Sequence, residues 1–192
     1  MVENANLNAA AQNINDAEFH AMPGEEISSL EGTFKLVTFG SALHWMDIPK
    51  TLGASSDLLS DDGGVVILGM RSIWGGKSDW ERVVVRIIQK WMGSERRAGS
   101  TTFNQPGVSF VHGLTEAGFS VFEENSLEAE YTVDVPFILG HLYTTSYCNR
   151  DLLGDSVDDF ETDLNEQLLG INSDGVFRWV PRATYIFARK TS

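Results

Sequence analysis

Cysteine is almost absent from this chain. Its 192 residues include one, Cys148. A single thiol cannot close an internal disulfide, which fits a reducing compartment such as the cytoplasm. Standing alone, it reads as a small, partly buried hydrophobe rather than a nucleophile. Positive charge is scarce too: 14 Lys and Arg stand against 27 Asp and Glu, a net charge of −13. Such a surface does not grip nucleic-acid phosphates or anionic lipid, although it favours solubility. No apolar run is long enough to cross a membrane. The start, Met1-Val2-Glu3-Asn4-Ala5-Asn6, lacks the basic and apolar stretches of a signal peptide, so none is expected. Three chemistries are also missing. Gly76-Lys77-Ser78 resembles the end of a phosphate loop, but the required earlier glycine is Arg71. No Gly-x-Ser-x-Gly elbow occurs. His20, His44, His112 and His141 show no metal-ligand spacing with one another or with Cys148.

What remains is a globular pattern. Apolar residues make up 42% and charged residues 21%, the balance of a chain that buries a core. The length suits one domain, and no linker or repeat divides it, so residues 1–192 are expected to form a single domain. Residues 3–12 read as a short helix, and 17–22 as a short strand closed by Pro23-Gly24. Residues 33–39 predict a strand. Its near-continuous Phe34, Leu36, Val37 and Phe39 suit a parallel strand covered on both faces. Asp47 as N-cap, with Pro49 in the first turn, predicts a helix over 48–59. Asp61-Asp62-Gly63-Gly64 reads as a turn, and 65–68 as a second buried strand.

Trp80, Val83, Val84, Ile87, Ile88 and Trp91 share one helical face and predict a helix over 80–91. A loop follows with Arg96-Arg97-Ala98-Gly99-Ser100. Beyond it come a short helix over 108–118, a strand within 119–133 and a helix or loop over 135–146. Ser156-Val157-Asp158-Asp159 opens a further helix with a capping-box pattern, and 183–189 read as the last strand. Strand, helix, Gly-Gly turn and strand in alternation predict an α/β fold.

The most informative stretch runs from Phe34 to Asp47, where a strand enters a loop bearing the pair His44-Trp45. Here the chain resembles the class I S-adenosylmethionine-dependent methyltransferases, in particular their small-molecule branch with a His-Trp turn after the fourth strand. The resemblance continues in order from Met1 to Lys190. Phe19 to Ile27 is similar to the third strand and adenine-binding turn, and Leu58 to Leu68 to the Leu-x-x-Gly-Gly turn and fifth strand. Gly118-Phe119 and Tyr185 to Lys190 are similar to strands six and seven.

The resemblance implies a Rossmann-like, three-layer α/β/α methyltransferase fold with S-adenosylmethionine as cofactor. It implies cofactor contacts at Met22, Pro23, Gly24, Glu25, Gly40, Ser41 and Ala42. Small residues at the last three let backbone approach a ligand closely. His44 and Trp45 would occupy the catalytic wall between cofactor and substrate. Pro23 stands where the family usually has an acid, and Lys35 where it usually has Asp. Arg71, Trp74, Arg96, Arg97 and Tyr143, with Tyr147 and Arg150, fall in the segments after strands five and six and are candidate substrate-pocket residues. An arginine pair can grip a carboxylate, although the same residues also read as surface arginines.

The family also places a glycine-rich loop after its first strand, and a ribose-binding acid after its second. Neither is found in this sequence, and Met1 falls on an internal methionine of the family pattern. The expectation is a fold incomplete at its N-terminus, without strands one and two. The strand at 33–39 would then be an unpaired apolar edge, covered by residues 17–22 or by another chain. Two functions follow: methyl transfer to a small-molecule acceptor, or a non-catalytic relic or regulatory half-domain that pairs with another subunit. The expected partner is a small-molecule substrate, without nucleic acid or membrane, and with self-association through the exposed edge. An unrelated α/β domain is the remaining alternative.

Overall fold

The structure, a computed structural model, describes residues 1–99, 101–103 and 107–191; the expected loop residue Ser100 lies outside them. In chain order the elements are helix α1 (Val2–Ala11), strand β1 (Phe34–Gly40), helix α2 (Ile48–Leu58), strand β2 (Leu59–Met70) and helix α3 (Asp79–Met92). Short strands β3 (Arg97–Ala98) and β4 (Thr101–Thr102) follow, then helix α4 (Phe110–Glu116) and strands β5 (Phe119–Glu128) and β6 (Tyr131–Asp134). Helices α5 (Val135–Tyr143), α6 (Arg150–Leu153) and α7 (Val157–Leu169) precede strands β7 (Val176–Trp179) and β8 (Arg182–Lys190). The main sheet has the order β1-β2-β8-β5, so the last strand of the chain enters between two earlier ones. Strands β3 and β4 pair antiparallel, as do β6 and β7.

Contacts divide the chain into two compact units, and β2, β5 and β8 each pass from one to the other. The first comprises Met1–Val66, Val108–Phe122 and the residues from Phe187 onward. Its core includes Leu43, Leu52, Val65, Leu114 and Ala188. Helix α2 starts as expected: the Asp47 carboxylate accepts the Lys50 N–H at 3.1 Å, and Pro49 occupies the first turn. At its other end the Lys190 ammonium donates to the carbonyls of Ser56 and Leu59, groups that the helix leaves unpaired.

Four sequence expectations are corrected in this unit. No turn interrupts Asp61-Asp62-Gly63-Gly64; α2 runs directly into β2, which contains all four residues. The glycines serve close packing instead. A Cβ on Gly64 would lie 2.9 Å from the Ala188 carbonyl oxygen of β8, and one on Gly63 would lie 2.9 Å from the Ser60 carbonyl. Residues 17–22 form no strand, and all but Met22 are exposed. Strand β1 is not covered on both faces. It lies at the sheet edge with Phe34 and Leu36 at 41% and 51% exposure, and only Phe39 of its side chains is buried. The expectation that residues 17–22 cover that edge fails with the strand itself, because those residues make no ladder with β1.

The second unit comprises Ile67–Gly107 and Glu123–Ile186. Helices α3, α5 and α7 enclose its core, where Val84, Ile88, Leu142, Cys148, Phe160, Leu164 and Leu168 are almost fully buried. Burial pushes the Cys148 thiol up to about 12, so it remains protonated and inert. Helix α3 covers the expected span and opens with a capping box. Ser78 Oγ accepts the Glu81 N–H, and Glu81 Oε2 accepts the Ser78 N–H at 3.0 Å. The capping box expected at Ser156 is absent. A 3-10 turn at Gly154–Ser156 leads into α7, leaving Ser156 at φ −90° and ψ 8° rather than in the extended conformation that a cap requires. The single strand expected within 119–133 is two, because β6 leaves the main sheet to pair with β7.

Candidate functional site

The two segments that resemble cofactor-binding turns meet in the first unit. Pro23, extended at φ −61°, leads into a 3-10 turn at Gly24–Ser29 that begins with Gly24 and Glu25. Gly24 lies against Met46; a Cβ there would sit 2.6 Å from the Met46 sulfur. Glu25 Oε1 accepts the Asp47 N–H at 2.8 Å. That bond holds the Glu25 carboxyl below the usual carboxylate range. Glu25 therefore straps the segment 22–25 to the turn at 40–47.

That turn is strained at its tip. Ser41 has φ +52°, the left-handed region that side chains other than glycine seldom enter. A Cβ on neighbouring Gly40 would meet nothing within 4 Å among the described residues, so their packing does not demand a glycine there. After Ala42 the chain makes a 3-10 turn at Leu43–Trp45, anchored by Leu43 at 1% exposure. The rings of His44 and Trp45 lie 4.8 Å apart, tilted by 45°. Trp45 is 53% exposed, which presents a large apolar surface to solvent. An open groove of about 1010 Å³ runs past Asp16, Glu18, His20, Met22, Glu31 and Phe34 in the same unit.

The candidate substrate residues belong to the second unit and separate into groups. Arg71 donates an Nη2–H to the Val180 carbonyl at 3.4 Å, and its backbone N–H bonds Arg182. Arg97 is exposed in β3 opposite Thr102. Tyr143 donates its hydroxyl to Glu161 Oε1 at 2.7 Å; Arg150 binds the same oxygen and lies 4.6 Å over the Tyr143 ring. Burial and Glu161 together push the Tyr143 phenol well above its ordinary value. This triad is closed on itself.

Trp74 and Arg96 meet around a third residue. Trp74 contacts Tyr147 edge-on at 5.9 Å, and the Arg96 guanidinium lies 5.4 Å over the same ring and 4.4 Å over Phe103. Both Trp74 Nε1 and Arg96 Nε are buried without a hydrogen-bond partner among the described residues. Desolvation lowers the Arg96 pKa and raises that of Tyr147. Phe103 and Glu161 escape a sequence reading. Neither lies in a motif, and Glu161 is marked only by following the apolar Phe160 on α7. Among the described residues, no group of three or more His, Cys, Asp and Glu could hold a metal ion, and no helix is long and apolar enough to cross a membrane.

No protein-family model matches the chain, and no curated protein does. Solved structures do. A candidate methyltransferase from Bacillus halodurans is similar over 100% of this chain and 79% of its own, at 13% identity and a TM-score of 0.57. The YcgJ protein of Bacillus subtilis is similar over the same shares at 14% identity and a TM-score of 0.56. The [4+2]-cyclase SpnF is similar over 99% of this chain and 63% of its own, at 13% identity and a TM-score of 0.54. Identities this low carry the architecture and not the reaction, and the cyclase among them makes the same point. The chain has the Rossmann-like α/β fold of the class I S-adenosylmethionine-dependent methyltransferases.

Proposed function

We propose that this chain takes part in S-adenosylmethionine-dependent methyl transfer to a small-molecule acceptor. The observation that carries the reading is the meeting of segments 22–25 and 40–47, strapped by the Glu25–Asp47 bond. Ser41 is left-handed and Trp45 exposed at that junction. Strain held at a loop tip is characteristic of ligand sites. The residues present fit one face of the cofactor. Met22, Pro23, Gly24, Glu25, Gly40, Ser41 and Ala42 would hold it, and His44 and Trp45 would wall it from the acceptor. No glycine-rich loop and no strand-ending acid for the ribose occurs in the sequence. When bound, S-adenosylmethionine supplies a sulfonium methyl whose leaving group is a neutral thioether. The chain's own residues therefore need to orient the acceptor and exclude water more than to move protons.

Titration with S-adenosylhomocysteine by calorimetry tests this. We expect weak, saturable binding, with Kd of about 0.1–1 mM, that Trp45→Ala abolishes. No heat of binding at millimolar ligand rejects the reading.

One observation favours a second reading, a non-catalytic half-domain that pairs with another subunit. Strand β1 is an unpaired edge with two exposed large apolar residues, the usual template for strand addition.

A further inference from the structure

We propose that Arg96, Trp74 and Tyr147 form a subsite for the carboxylate of a small-molecule ligand. Naming that ligand the acceptor substrate rests on the methyl-transfer reading; the subsite itself does not. Two buried donors, Arg96 Nε and Trp74 Nε1, lack an acceptor among the described residues, and both side chains contact the Tyr147 ring. Buried donors are nearly always satisfied, so two orphans on one aromatic ring point to an acceptor supplied by a ligand. Phe103 and Tyr147 stabilise the guanidinium charge through their faces, but a ring face supplies no oxygen. No ion pair involves Arg96 among the described residues. The ligand must then bring a negative charge and at least two lone pairs.

Charge balance chooses between oxyanions. Arg71 commits an Nη2–H to Val180, Arg150 is paired with Glu161, and Arg97 is exposed. Among the described residues Arg96 is the one guanidinium over the Tyr147 ring, and its one positive charge matches the single charge of a carboxylate and not a phosphate dianion. The planar guanidinium fork also fits a carboxylate side-on.

Indole N–H resonances report the site directly, without cofactor. The chain has five tryptophans, and Trp74→Phe identifies the Trp74 signal. Probes are sodium succinate, inorganic phosphate and neutral succinamide at constant ionic strength. Succinate should shift the Trp74 indole and the Arg96 Nε–H saturably. Arg96→Met should weaken that response at least about tenfold, and Arg96→Lys, which keeps the charge without the fork, by less. The remaining indole signals show whether each variant is folded. If Arg96→Met is not folded, the wild-type Arg96 Nε–H response decides alone. Absence of a succinate response overturns the proposal. So does an equal response to succinamide, or a phosphate response as strong as that to succinate. Because no cofactor is present, failure here with intact S-adenosylhomocysteine binding rejects the subsite alone, and the converse rejects methyl transfer alone.

Discussion

Ser41 bears the backbone strain of the turn that follows β1. At φ +52° its Cβ crowds the following carbonyl, a conformation that costs an ordinary residue about 1–2 kcal/mol. Ser41→Gly should leave stability unchanged or raise it by up to about 1 kcal/mol, while Ser41→Val should lower it by about 1–2 kcal/mol, both read from urea unfolding. Gly64 has the opposite constraint. Its φ is unremarkable, but a Cβ would meet the Ala188 carbonyl at 2.9 Å, so Gly64→Ala should cost about 1–3 kcal/mol. Trp45 separates binding from folding. Being half exposed, it can be cut to Ala with the melting temperature held within about 2 °C, while S-adenosylhomocysteine binding is lost. A stability loss as large as the binding loss would show that Trp45 is a packing residue.

Helices α3 and α7 are joined by one carboxylate. Asp163 accepts from the Lys90 ammonium at 2.6 Å and from the Trp91 indole at 2.8 Å. These two donors lower its pKa from the ordinary 3.8. A depressed native pKa contributes stability that is complete above the unfolded value and fades as pH falls through the native one. Asp163→Asn should therefore be about 1 kcal/mol less stable than the wild type at pH 7, and the difference should shrink as pH drops below about 3.8. A difference that holds constant to pH 3 would assign the effect to packing. The other end of α3 rests on its capping box, and Ser78→Ala should cost about 1 kcal/mol in the same assay. Both ends of this helix were legible differently. The cap residues lie within one turn of each other, whereas Asp163 is 72 positions from Trp91 and nothing local marks it as the partner.

For the molecule as a whole, an apolar edge opposes a large net charge. Phe34 and Leu36 on β1 favour pairing between copies, and 13 uncompensated negative charges oppose it. Salt weakens the repulsion without weakening apolar contact. Sedimentation equilibrium should therefore show association that increases between about 50 and 500 mM NaCl and disappears in Leu36→Lys. A monomer at every salt concentration would remove β1 as a self-pairing edge and leave only a different polypeptide as its partner.

The sequence by itself determined the features that act over a few residues: the apolar face of α3, the Asp47 cap of α2, the strand at β8 and the inert character of a lone cysteine. It also brought the segments 22–25 and 40–47 forward as a pair, through a resemblance rather than through any local rule. The tertiary structure decided what depends on neighbours across space. An apolar run such as 34–39 reads the same at the edge of a sheet as at its centre, so its exposure follows only from which strands lie beside it. Gly63-Gly64 reads as a turn until β8 is seen against Gly64, when the missing side chain becomes room for another backbone. Arg96 and Trp74 are 22 positions apart in the chain, with no spacing that marks them as a pair. The Tyr147 ring joins them, because burial puts two donors against the same side chain and leaves both without an acceptor among the described residues.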